Sequence, residues 1–165
     1  MRPDLNGQIV RDAMVALYGN MTDRFTPHFK DMFARLVEGK APLAFNCSAG
    51  KDRTGIAAAL VLLALGVPRE TVLEDYALSD TVVDYEAAYK TAPPNLKPQE
   101  GPYAFLAQLP KDVRAPLLKS DPAYLSAALQ KIETEFGSIE AYLDQKLGVS
   151  QADLEKLRSL YLDQS

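Results

Sequence analysis

Apolar residues recur at helical spacing along most of the chain. Ile9, Val10, Ala13, Met14 and Leu17 make one stripe, and Gly19-Asn20 predicts its end. Thr26 and Pro27 read as an N-cap followed by the first helical position. The next stripe is Phe29, Met32, Phe33, Leu36 and Val37, stopped at Gly39. Residues 42–46 are short, apolar and bounded by loop residues, a pattern that predicts a buried strand. It is the one strand the pattern supports. Residues 54–65 predict a helix that is apolar nearly all round, closed by Gly66 with Pro68 beyond. Residues 69–79 predict another, with Val72, Leu73, Tyr76 and Ala77 inward, and residues 80–90 continue as helix. The four prolines of residues 91–102 exclude helix and central strand, so that stretch is a loop. Residues 103–119 are weakly helical, interrupted by Pro110 and Pro116. Asp121-Pro122 opens a helix to Phe136, stopped by Gly137. Ser138 caps residues 139–147, ended by Gly148, and Ser150 caps a last helix with Leu154, Leu157, Leu160 and Tyr161 on one side. No repeat or linker divides the chain, so residues 1–165 read as one domain.

Composition narrows the class. A chain of 165 residues, 47% apolar and 24% charged, can bury a sizeable core. A net charge of −4 argues against a nucleic-acid partner, which wants a basic face. One cysteine forms no intramolecular disulfide, and with the single His28 it builds no zinc site. No metal or other cofactor is therefore expected. The first residues lack the apolar core of a secretory signal, which makes the cytoplasm the default and leaves other export routes open. The longest apolar run, residues 56–65, is about half of the roughly 20 residues that span a bilayer, and reads as a buried core helix.

The chemistry concentrates in Phe45-Asn46-Cys47-Ser48-Ala49-Gly50-Lys51-Asp52-Arg53-Thr54-Gly55. A nucleophile and a fixed cation flank a short loop that runs into an apolar helix. Backbone N–H groups from Ser48 to Arg53 can form a nest for an anion, and the helix N-terminus adds partial positive charge. Ala49 and Gly50 are small, and Gly50 can take positive φ. Arg53 can grip two phosphate oxygens with its planar fork. The same field lowers the pKa of Cys47, and the thiolate is the nucleophile. Thr54 can hydrogen-bond the sulfur when it leaves. The competing readings are an inert buried thiol for Cys47, a solvated surface lysine for Lys51, and a helix cap or an Arg53 partner for Asp52. A nucleotide-binding loop is excluded, because Phe45 stands where its first glycine belongs and Asp52 follows Lys51.

This segment resembles the signature loop of cysteine-dependent phosphatases. It is most similar to the bacterial and fungal branch of tyrosine/serine and phosphoinositide phosphatases, whose loop reads His-Cys-x-x-Gly-Lys-Asp-Arg-Thr-Gly. Ser79 after Leu73-Glu74-Asp75-Tyr76, and the later Phe136-Gly137-Ser138-Ile139-Glu140-Ala141-Tyr142-Leu143 with Leu147-Gly148-Val149-Ser150, also look similar. The resemblance implies a helix-rich α/β fold and a phosphoric monoester hydrolase working through a phosphocysteine. Cys47 attacks phosphorus, Arg53 and the loop from Ser48 to Thr54 hold the oxygens, and Asp52 is a candidate acid. Lys51 implies a more cationic pocket, suited to doubly phosphorylated or inositol-lipid substrates. Residues 80–120 occupy the place of a helical flap over the pocket.

Two features depart from that branch. Asn46 stands where the family has histidine, so the thiolate loses a charged neighbour. The family also has several strands before this region, whereas this chain begins with helices. A lone strand cannot satisfy its own backbone groups. The sheet is then truncated or completed by a partner, through a homodimer or strand exchange.

Other candidates rank lower. His28 reads as a surface or interface residue, and Asp12, Asp23 and Asp31 as solvated or capping residues. Tyr76, Tyr85, Tyr124 and Tyr142 read as core or rim, with Tyr85, Tyr89 and Tyr103 near the flap. A weakly active or inactive phosphate-binding module is the alternative function. A sulfur-transfer or arsenate-reducing enzyme is a third, against which the single cysteine argues.

Overall fold

The computed structural model describes residues 4–90 and 104–162, and the side chains of residues 88–90, 104 and 107 are outside that description. Helices dominate. In chain order they are α1 (Gly7–Arg24), α2 (Thr26–Val37), α3 (Asp52–Ala64), α4 (Arg69–Val82), α5 (Tyr85–Lys90), α6 (Lys111–Leu118), α7 (Pro122–Phe136), α8 (Ile139–Tyr142) and α9 (Gln151–Tyr161). A 3-10 turn, Ala104–Gln108, precedes α6, and a π-helical turn, Leu143–Leu147, extends α8.

The apolar helix α3 forms the centre. It touches α1, α4, α7, α8 and α9, and buries Ile56, Ala57, Ala59, Leu60 and Ala64. Around it α1 packs along α7 and α6, and the core closes on Tyr18, Phe33, Leu125, Leu129, Ile132 and Leu143. At 13 residues α3 is a core helix, and no described helix is long and apolar enough to cross a membrane.

Caps place most helix ends where the pattern predicts them. Asp121 accepts from the Ala123 amide, Ser138 from the Ala141 amide, and Ser150 forms a capping box with Asp153. Gly39, Gly66, Gly137 and Gly148 stop helices with positive φ. Thr26 departs by one position. It is helical, Phe25 is the N-cap, and the Thr26 hydroxyl donates to the Thr22 carbonyl at 2.7 Å.

Four expectations are corrected. Gly19-Asn20 does not end α1, which runs on to Arg24. Gly19 is buried, and a Cβ there would meet the Lys131 side chain at 3.3 Å, so glycine lets α1 lie close to α7. The helical stripe of α1 is also only half right. Val10, Met14 and Tyr18 are buried, whereas Ile9, Ala13 and Leu17 face outward. Residues 80–90 are not one helix. α4 stops at Val82, and α5 restarts after Asp84, whose carboxylate accepts from the Ala87 amide at 2.9 Å. Pro116 does not interrupt α6 but lies inside it, and the Pro116 carbonyl accepts from the Tyr124 hydroxyl. Residues 91–102, expected as a loop, lie outside the described residues.

The strand expected at residues 42–46 is a further correction. The segment pairs with no other strand among the described residues, and Pro42, Ala44, Phe45 and Asn46 are exposed. Its apolar content predicts burial, but no second extended segment among the described residues offers a hydrogen-bond ladder.

One contact fixes how α3 and α4 cross. A Cβ on Gly55 would lie 2.7 Å from two ring carbons of Tyr76. Tyr76 is itself wedged against Tyr18, with ring centroids 6.3 Å apart. Gly55→Ala is therefore expected to destabilise the fold by roughly 1–3 kcal/mol through overpacking. Urea denaturation would show a lower midpoint at an unchanged slope.

Candidate active site

The loop from Cys47 to Lys51 sits at the N-terminus of α3. Gly50 adopts φ +66°, and its amide donates to the Cys47 carbonyl at 3.3 Å, closing a tight turn. A Cβ at Gly50 would meet nothing within 4 Å, so glycine serves the backbone conformation rather than space.

Cys47 is half-buried beneath this loop. Burial pushes its thiol up. The Thr54 hydroxyl and the amides of Thr54, Ala49 and Lys51 outweigh that effect and bring it down to about 7. Thr54 Oγ1 is buried and has no hydrogen bond of normal geometry. The hydroxyl is therefore free to donate to the sulfur, and it donates more strongly to the thiolate than to the thiol. The amide donors come from the loop backbone and the first turn of α3, where the helix also offers its unpaired N–H groups.

Arg53 is held in place before any ligand arrives. Its Nη2 donates to Ser48 Oγ at 2.8 Å, and its guanidinium lies 5.3 Å from the centre of the Phe25 ring. A cavity of about 160 Å³ is lined by Cys47, Arg53 and Thr54, with Phe25, His28, Phe29 and Met32 from the α2 side. His28 is thus exposed, as expected, yet it belongs to the rim of the cavity that holds the thiol. Asn46 is exposed on the same rim. Among the described residues its Nδ2 donates to the Cys47 carbonyl, at 3.5 Å, and not to the sulfur.

Lys51 is placed otherwise than expected. Its side chain is only 3% exposed, so it is neither a solvated lysine nor a cation of the thiol cavity. Nζ donates to the Leu117 carbonyl at 3.0 Å and the Lys119 carbonyl at 2.8 Å, and pairs with Asp52 Oδ1 at 3.0 Å. Two of its donors are matched by carbonyls at the C-terminal end of α6, and its charge is paired by Asp52 at the start of α3. Its backbone amide still faces the sulfur.

Asp52 pairs with Lys51 and not with Arg53. Its Oδ1 also accepts from the Tyr18 hydroxyl at 2.6 Å. Tyr18, fully buried on α1, is absent from the sequence expectations. The available signal was its place four residues after Met14 on the buried stripe, since a buried tyrosine hydroxyl needs a partner. Phe25 beneath Arg53 carried no comparable signal.

A second cavity of about 450 Å³ lies on the other flank of the loop. Ser48, Lys51 and Asp52 form its polar side, with Ala49 between them. Apolar walls come from Met14, Leu17 and Met21 of α1, from Val83 and Tyr85, and from Phe105, Leu106, Leu117 and Leu118. Tyr85, expected near the flap, reaches the loop itself, its ring centre 5.9 Å from Lys51 Nζ. Tyr103 and the side chain of Tyr89 lie outside the described residues. Asp12, Asp23 and Asp31 line neither cavity. They engage Gln8, Lys131 and Arg35 on helix surfaces.

A thiol near neutral pKa, a cradle of amides and an oriented guanidinium are what displacement at a tetrahedral phosphorus requires. The sequence model of the tyrosine phosphatase family matches residues 2–163, and the chain belongs to that family. A Cupriavidus necator protein assigned by name to the tyrosine-protein phosphatases is 36% identical over 152 residues, covering 90% of this chain and 50% of the relative. A tyrosine-protein phosphatase of Nostoc commune is 28% identical over 159 residues, covering 89% and 48%. The triple specificity protein phosphatase PtpB of Mycobacterium tuberculosis is 33% identical over 135 residues, covering 77% and 46%. The chain spans about half the length of these curated relatives.

Two measurements probe this geometry. Thr54→Val removes the hydroxyl beside the sulfur and should raise the alkylation pKa of Cys47 from about 7 by about one unit. The sign follows because a donor to the charged form holds the pKa down. Iodoacetamide labelling against pH reads the shift directly. Lys51→Met leaves two carbonyls and Asp52 Oδ1 without their shared donor and should cost about 3 kcal/mol in urea denaturation.

Proposed function

We propose that this chain carries the catalytic loop of a phosphoric monoester hydrolase that works through a phosphocysteine. The observation that carries the reading is Cys47, brought down to about 7 by loop amides and the Thr54 hydroxyl, in one cavity with Arg53. In the first step the Cys47 thiolate attacks phosphorus. The bond to the leaving oxygen breaks, and Asp52, protonated on Oδ2 when the substrate binds, gives that oxygen its proton and is left as the carboxylate paired with Lys51. Arg53 and the amides from Ser48 to Thr54 hold the three remaining oxygens through the transition state. In the second step water attacks phosphorus, its proton passes to Asp52, and the sulfur leaves as thiolate against Thr54. The Lys51 contribution is its amide, while its ammonium fastens α6 to the loop.

The substrates fitting this chemistry are phosphotyrosine, phosphoserine and phosphoinositide monoesters. The relative named for triple specificity is in keeping with that breadth. Residues 80–120 serve as a flap in this reading, because Val83, Tyr85, Phe105, Leu106, Leu117 and Leu118 wall the cavity beside Asp52. Residues 42–46 take a place in a sheet whose other strands come from a second copy or from another stretch of polypeptide. The exposure of Phe45 and the lack of a strand partner among the described residues support this. Asn46 in the histidine position favours the alternative of a binding module that holds a phosphorylated partner without turning it over.

Release of phosphate from an aryl phosphate separates the two. Cys47→Ser should lower turnover by at least about 10³-fold, while a chelator leaves the wild-type rate unchanged. Turnover that survives Cys47→Ser, or that a chelator abolishes, counts against the phosphocysteine route. Phosphate binding without turnover in the wild type would favour the module.

A further inference from the structure

We propose that Tyr18 is a positioning residue for Asp52: its hydroxyl and the Lys51 ammonium pin Oδ1, so that Oδ2 is the oxygen that carries the proton to and from the reacting phosphate. The inference rests on the reading of Asp52 as the acid. Tyr18 lies on α1, 34 residues before Asp52, and its ring is fully buried. Its hydroxyl is 2.6 Å from Asp52 Oδ1 and also touches the Tyr76 hydroxyl. A phenol has one proton. If Tyr18 gives it to Asp52, Tyr76 must donate to Tyr18, so the chain runs Tyr76 to Tyr18 to Asp52 in one direction.

Burial first, and then the Asp52 carboxylate, push the Tyr18 phenol well above its ordinary range, so it remains a donor throughout any assay pH. The rings cannot swing away. Tyr18 packs at 6.3 Å against Tyr76 and 5.5 Å against Tyr124. Lys51, held by the end of α6, pairs with Oδ1 by charge, and Tyr18 on α1 is its hydrogen-bond donor. Oδ2 has none among the described residues, while Asp52 borders the larger cavity. The ionisable groups facing the carboxylate are Tyr18, Lys51, Tyr76, Tyr85 and Tyr124.

The test is a double-mutant cycle of Tyr18→Phe and Asp52→Asn, read with phenyl phosphate and p-nitrophenyl phosphate. The phenolate needs a proton to leave and the nitrophenolate hardly does. Tyr18→Phe should lower kcat for phenyl phosphate about tenfold, with kcat for p-nitrophenyl phosphate changed less than about twofold and KM unchanged. In the Asp52→Asn background Tyr18→Phe should have no further effect. Tyr76→Phe leaves the Tyr18–Asp52 bond in place and should give the same pattern at smaller amplitude, even if Tyr18→Phe fails to fold. Equal losses for both substrates, or the same loss in the Asp52→Asn background, would overturn the positioning role alone. An Asp52→Asn enzyme with undiminished phenyl phosphate turnover would overturn the acid assignment and the Tyr18 role together.

Discussion

A buried ammonium must be paired, and Lys51 is where this protein meets that demand. Leaving its charge uncompensated in the interior would cost several kcal/mol. Its three partners, Leu117 O, Lys119 O and Asp52 Oδ1, belong to the end of α6 and the start of α3. The helix C-terminus suits a cation, because its last carbonyls lack intrahelical donors. One side chain therefore sets the distance between the loop and the wall of the larger cavity. It also turns Asp52 so that one carboxylate oxygen meets Tyr18. The arrangement of the site depends on a lysine that does not enter the thiol cavity.

The site divides its work between backbone and side chains accordingly. Thiolate stabilisation comes first from the Thr54 hydroxyl and then from the amides of Thr54, Ala49 and Lys51, in the first turn of α3 and the loop that leads into it. Arg53 is oriented by Ser48 and Phe25, on the α2 side. Asp52 is oriented from the α1 and α6 side. The two flanks of the loop thus differ: Cys47 and Arg53 line one cavity, and Asp52 with an apolar wall lines the other.

Local chemistry made much of this legible in the sequence. Ser138, Ser150 and Asp121 cap helices with their own side chains, and Gly137 and Gly148 stop them by backbone conformation. These are effects a few residues long, so a sequence window contains them. The pieces around Phe136-Gly137-Ser138 and Leu147-Gly148-Val149-Ser150 proved to be such caps. Gly19 and Pro116 failed as stop signals because the deciding partners are distant. Gly19 answers to Lys131, and the carbonyl of Pro116 to Tyr124. The Cys47–Thr54 motif located the candidate site, but its order along the chain does not say that the Lys51 side chain turns away or that Tyr18 arrives from α1. Those depend on packing across 34 to 68 residues.

Residues 42–46 show what pattern alone cannot decide. Apolar content there is that of an inner strand, and Phe45 stands 39% exposed. A strand is a relation between two segments, since its N–H and C=O groups need a neighbour. The described helices satisfy their own backbones and have no ladder to offer. Yet this segment leads straight into Cys47, so whatever pairs with it would also fix the entry angle of the nucleophile. The thiol sits between a rigid anchor, the first turn of α3, and an approach whose geometry a neighbouring strand would set. The pKa of Cys47 owes its lowering to the anchored side, from Ala49, Lys51 and Thr54. Activation of the sulfur is therefore built into the loop and α3, while the walls around it depend on what lies beside residues 42–46.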